Sequence, residues 1–168
     1  PAENVLSAIE AGQFLFGENR VQEAFEKFPP IIESHKNVEL HMIGVLQSNK
    51  VKNAVKVASC IESVDRISLL DEIEKQAAKI DRKIKVLFEF HTGEESKSGF
   101  ESQEELEKAL EACRQGKYPH IIPSGFMTMA PFTDDRERIR KSFVTLRILK
   151  EKMQEKYSDF NLSELSMG

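Results

Sequence analysis

Helical and extended hydropathy periods alternate six times along this chain, always helix then strand, and that alternation constrains the fold more than any other feature. Val5, Leu6 and Ile9 fall at helical spacing before Gly12, and the apolar burst Phe14-Leu15-Phe16 follows. A second helix carries Val21, Ala24, Phe25 and Phe28. It is predicted to stop at Pro29-Pro30, since proline lacks the N–H a helix interior needs, and Val38 to Ile43 then reads as a strand ending at Gly44. Ser48 is the expected N-cap of a helix bearing Val51, Ala54, Val55 and Ala58, with Cys60 to Val64 as the next strand. Asp65 is the expected cap for Ile67, Leu70, Ile73 and Ala77, ahead of the strand Ile84 to Phe90. Ser102 and Glu105 form a capping box before Leu106, Leu110 and Cys113, with Gly116 at the helix end and Ile121 to Met127 as strand. Asp134 or Asp135 opens a long helix with Ile139, Phe143, Leu146 and Met153, and a short strand over Leu162 to Leu165 completes the series.

Such alternation means an α/β fold of parallel strands with helices packed outside, either an open doubly wound sheet or a closed β/α barrel. A closed barrel of the TIM type has eight strands and about 250 residues, so this chain would supply about six of eight units. No Pro/Gly/Ser-rich linker interrupts it, and residues 1–168 are read as a single domain. Pro1 in place of Met, and the small-residue ending Ser166-Met167-Gly168, suggest an excerpt incomplete at both ends.

Composition narrows the function. Lys and Arg number 24 against 28 Asp and Glu, a net charge of -4 with no basic stripe, which argues against nucleic acid as a partner. No apolar run approaches the roughly 18 residues of a membrane span. Cys60 and Cys113 are too few for a disulfide scaffold and point to a reducing cytoplasm. His35, His41, His91 and His120 stand apart, without the spacing of a zinc site, so no metal is expected.

In either parallel architecture ligands bind at the carboxyl ends of the strands. At one such end Asn19 can cap a helix or bond a bound ring. Lys50 can be a phosphate cation, an imine-forming amine or a solvated first-turn lysine. Glu94-Glu95-Ser96-Lys97 reads as a solvated loop, its adjacent carboxylates unable to face each other across a substrate, although Lys97 is a second candidate amine. Ser166-Met167-Gly168 can offer a hydroxyl and bare amides to a phosphate, and Met127-Thr128-Met129 can wall a flat ligand or fill core gaps.

Five segments taken jointly resemble the pyridoxal phosphate homeostasis protein family. They are Phe16 to Glu23 (FGENRVQE), His41 to Lys50 (HMIG with LQSNK), Gly93 to Gly99 (GEESKSG), Gly125 to Pro131 (GFMTMAP) and Leu165 to Gly168 (LSMG), in order over essentially the whole chain. The resemblance implies a TIM-type barrel similar to the N-terminal domain of alanine racemase, with its first and last strands outside this sequence. It implies pyridoxal 5'-phosphate (PLP) held as an imine on a lysine of the first strand, and a role in buffering or delivering that cofactor, with PLP-dependent apoenzymes as recipients and no robust catalysis. Asn19 would lie beside the cofactor ring, Ser166 and Gly168 would belong to the phosphate-binding turn, and Met129 and His41 would lie near the barrel mouth or interior. No catalytic residue is implied, and a monomer or weak dimer is expected.

Departures from the family pattern bear on the pocket. The family's Ser-Lys-Thr-x-Pro segment, which carries the lysine, is represented here only by Pro1. Val45 stands where His or Pro is common, and His91 where Asn is common. Two further readings follow from the residues. One is an amino-acid racemase-like PLP enzyme, which would need an acid-base pair on opposite faces of the cofactor when only Tyr118 and Tyr157 are available as tyrosines. The other is a cofactor-free remnant that pairs its exposed sheet edges.

Overall fold

A computed structural model describes residues 1–93 and 98–168. Six parallel strands run in sequence order across one sheet, which curls into a half-barrel. They are β1 (Leu15–Glu18), β2 (Glu39–Met42), β3 (Cys60–Val64), β4 (Ile84–Glu89), β5 (Ile121–Thr128) and β6 (Glu164–Met167), alternating with α1 (Ala2–Glu10), α2 (Val21–Ser34), α3 (Val51–Val57), α4 (Ile67–Ala78), α5 (Gln103–Arg114) and α6 (Arg136–Lys156). Strands in consecutive order with intervening helices are the β/α-barrel arrangement rather than the doubly wound one.

Period-two alternation divides the strand residues between two faces. Leu40, Met42, Ile61, Val86, Phe88 and Phe126 join the main core beneath the helices, with Phe88 packed against Phe100 and Phe126. On the opposite, concave face Cys60, Leu87 and Met127 form a small separate cluster.

Local signals explain most boundaries. Ser102 Oγ accepts from the Glu105 amide at 3.2 Å, Gly116 leaves α5 in a left-handed conformation, and Asp135 accepts from the amides of Glu137 and Arg138 at the start of α6. Three sequence expectations are corrected. The second helix does not stop at Pro29-Pro30 but continues to Ser34: both prolines lie on its exposed side, and burying Ile31 holds the last turn in place. Ser48 does not cap a helix. It starts a short 3₁₀ turn, Ser48–Lys50, and its hydroxyl lies 3.5 Å from the Arg66 guanidinium. Nor does Asp65 cap α4, because its carboxylate is taken by Arg66 at 2.5 Å.

Candidate functional site

The carboxyl ends of the strands surround a cavity of about 360 Å³ on the concave face. Ile43, Val45, Met127 and Met129 supply apolar wall, Asn19 and Ser166 neutral polar groups, Glu62 and Glu89 carboxylates, and Gly44 and Gly168 bare backbone.

Asn19 is placed by a carboxylate that the sequence reading did not single out. Glu18 is buried at the end of β1, where it accepts from the Asn19 and Arg20 amides at 3.0 and 3.3 Å and from Lys27 Nζ at 2.7 Å. Glu18 thus fixes the backbone just ahead of α2, where no side chain caps the helix, and Asn19 lines the cavity. On the far side, β6 pairs with β5 until Gly168, whose N–H donates to Thr128 and whose carbonyl accepts from Ala130 at 2.7 Å. That pairing holds Ser166 and Gly168 opposite Asn19.

Beneath them, His41 on β2 and Glu62 on β3 meet at 2.6 Å between Nδ1 and Oε1. Burial pushes the Glu62 carboxyl up, but the His41 bond and the Ser166 hydroxyl outweigh it and hold it below the ordinary carboxylate value. Glu89 behaves oppositely: it is 2 % exposed, and burial raises it despite the hydrogen bond from Ser98 Oγ. Burial also pushes the Cys60 thiol up, which leaves it unreactive.

Asn19, Met129, Ser166 and Gly168 therefore line one cavity, whereas His41 lies a layer deeper and also borders a second cavity toward the amino ends of the strands, with Leu15, Asn37, Glu39, Lys85 and Glu164. Val45, a departure from the family pattern, stands 65% exposed at the first cavity's mouth. His91 and Lys50 are not among its lining residues. Lys97 and the carboxylates Glu94 and Glu95 lie outside the described residues.

The model of the alanine racemase N-terminal domain family matches residues 1–168. Two relatives called pyridoxal phosphate homeostasis protein align over 100% of this chain: that of Aquifex aeolicus is 35% identical with 72% of its own length covered, and that of Pasteurella multocida 32% identical with 71% covered. The chain belongs to the pyridoxal phosphate homeostasis protein family. The solved structure of PipY from Synechococcus elongatus PCC7942 superposes closely on the chain. Without PLP it gives a TM-score of 0.90 at 28% identity, and with PLP bound 0.87 at 29%, covering 100% of this chain and 77% or 76% of PipY.

Two residues that line this cavity were missed by sequence reasoning, Glu62 and Glu89. Both carried a signal. Glu62 shares the strand period of Cys60, and Glu89 is the carboxylate that ends the strand Ile84–Glu89.

Proposed function

We propose that this chain binds PLP in the cavity at the carboxyl ends of its strands and serves to hold or deliver the cofactor rather than to turn over a substrate. The observation that carries the reading is the convergence of Asn19, Met129, Ser166 and Gly168 on that one cavity in a chain whose homologue PipY has been solved with PLP bound.

The residues present fit such a group. A flat heteroaromatic ring matches apolar walls of Ile43, Met127 and Met129, with Asn19 as the hydrogen-bonding edge. Phosphate matches the Ser166–Gly168 end, where a hydroxyl and a residue without a side chain allow close approach: a Cβ on Gly168 would already stand 3.1 Å from Met129 Sδ. Of the two carboxylates, Glu89 is held toward its neutral form by burial, and Glu62 accepts from His41 at 2.6 Å. When bound, PLP supplies an electrophilic aldehyde and an electron-withdrawing ring. Among the described residues, the cavity lining includes no lysine to engage that aldehyde.

Holding rather than racemase-like turnover is supported by where the two tyrosines lie. Tyr118 donates to Asp71 and Tyr157 to the Glu107 carbonyl, both in the helical layer and away from the cavity, so neither can serve as the second acid-base group of a racemase. The reading treats residues 1–168 as one domain, a monomer or weak dimer that passes PLP to apoenzymes. It places the chain in the cytoplasm. Cys60 and Cys113 are free thiols, and no helix of the described residues is long and apolar enough to cross a membrane.

Equilibrium dialysis against PLP tests the reading. The chain should retain PLP, and Ser166→Ala and Asn19→Ala should each weaken retention by about tenfold, the worth of one good hydrogen bond to a charged or buried group. Equal retention by both variants and the parent would overturn it.

A further inference from the structure

The His41–Glu62 pair is buried yet incompletely bonded. At 2.6 Å one proton lies between Nδ1 and Oε1, but His41 Nε2 and Glu62 Oε2 are both buried with no hydrogen-bond partner. With a single proton on the ring, Nδ1–H donates to Glu62, the Ser166 hydroxyl lies beside that carboxylate, and His41 Nε2 is left as a buried acceptor without a donor. A second proton on Nε2 would turn that atom into a donor directed toward Glu39 Oε2, 3.9 Å away. The pair also joins two spaces: Glu62 lines the cavity at the carboxyl ends of the strands, with Ser166 beside it, and His41 borders the cavity at the amino ends.

We propose that His41 and Glu62 form a proton-accepting pair beside Ser166, so that an anion entering the Ser166–Gly168 end of the cavity is bound together with a proton. The inference rests on the PLP reading above and goes beyond it. Glu62 alone presents a full negative charge where the phosphate arrives, and like charges at short range raise the affinity of one of them for a proton. The proton comes from solvent, the new N–H bond forms at His41 Nε2, and the pair becomes an imidazolium facing the Glu62 carboxylate. Among the described residues, the other groups on this face do not supply that charge. Lys85 of β4 sits 3.6 Å from Glu164 of β6, Glu39 is a further carboxylate, Glu89 is held by Ser98, and Cys60, Met127 and Met129 bring no cation. Because the complex holds more protons than its separated parts, affinity for the anion falls as pH rises.

Calorimetric titration with PLP, at one pH in two buffers of different ionisation enthalpy, counts the protons taken up. The parent chain should take up more protons per PLP than Glu62→Gln, and it should take up fewer with pyridoxal, which lacks the phosphate. Glu62→Gln should also flatten the fall of affinity with pH. The comparison of PLP with pyridoxal is made at about pH 8, where the phosphate is already doubly ionised; it uses the parent chain alone and stands even if the variant folds poorly. Equal proton counts for PLP and pyridoxal, or for parent and folded variant, would overturn the inference while leaving the PLP site intact. Absence of any PLP binding by the parent would overturn the functional reading itself.

Discussion

A side chain on Gly44 would collide with Asn19: a Cβ there would stand 2.3 Å from the Asn19 carbonyl oxygen and 2.8 Å from its Cα. The loops after β1 and β2 are therefore in backbone contact, and Ser63 Oγ fastens the second of them by donating to the Gly44 carbonyl at 2.7 Å. Asn19 is positioned by this contact. Gly44→Ala should cost about 2 kcal/mol of stability, as overpacking against backbone does, and should weaken PLP retention by displacing Asn19. Chemical denaturation and dialysis read the two effects, and an unchanged midpoint would show that the loops part without cost.

Glu18 makes the start of α2 sensitive to acid. Burial pushes its carboxyl up, but Lys27 and the Arg20 and Asn19 amides outweigh this and leave it below the ordinary value. A carboxyl depressed in the folded state contributes stability that is present above its unfolded pKa and is lost as pH falls through the lower, folded one. Glu18→Gln should be less stable by about 1 kcal/mol at neutral pH, with the deficit shrinking on acidification. Urea unfolding at neutral and acidic pH checks it; a deficit independent of pH would contradict the assignment.

Glu89 gives the opposite sign. Its folded carboxyl is raised by burial, so the proton it holds favours the fold below the ordinary carboxylate pKa, and that advantage is lost as pH rises through the raised one. Glu89→Gln should therefore gain about 1 kcal/mol at neutral pH and nothing in acid. A variant less stable than the parent at neutral pH would mean that the Ser98 contact needs the charge.

Pro30 lies on the exposed side of α2 and denies the Glu26 carbonyl its helical donor. Pro30→Ala should raise stability in thermal melts by up to about 3 kcal/mol, the cost of proline in a helix interior. A lower melting temperature would show that the ring itself packs usefully.

The architecture was readable because each amphipathic helix and each short apolar strand obeys its own period. Cys60 to Val64 is recovered residue for residue, and the Ser102 and Asp135 caps act as their types suggest. The misreadings have different causes, burial of one side chain in the first case and a competing neighbour in the second. Ile31 carries the helix past two prolines, and Arg66 takes the Asp65 carboxylate. For Asn19, Met129, Ser166 and Gly168, the resemblance supplied the expectation and the curl of the sheet supplies the meeting point. Glu62 and Glu89 escaped notice because a buried carboxylate on a strand has no sequence mark apart from its period, and its partners, His41 and Ser98, come from distant segments.

The central claim is that PLP occupies the cavity at the carboxyl ends of the strands. A crystal structure of the chain grown with PLP tests it most directly. The account predicts the phosphate against Ser166 and Gly168 and the ring between Asn19 and Met129. PLP seated instead among Leu15, Glu39 and Lys85 at the amino ends, or on the outer helices, would contradict it.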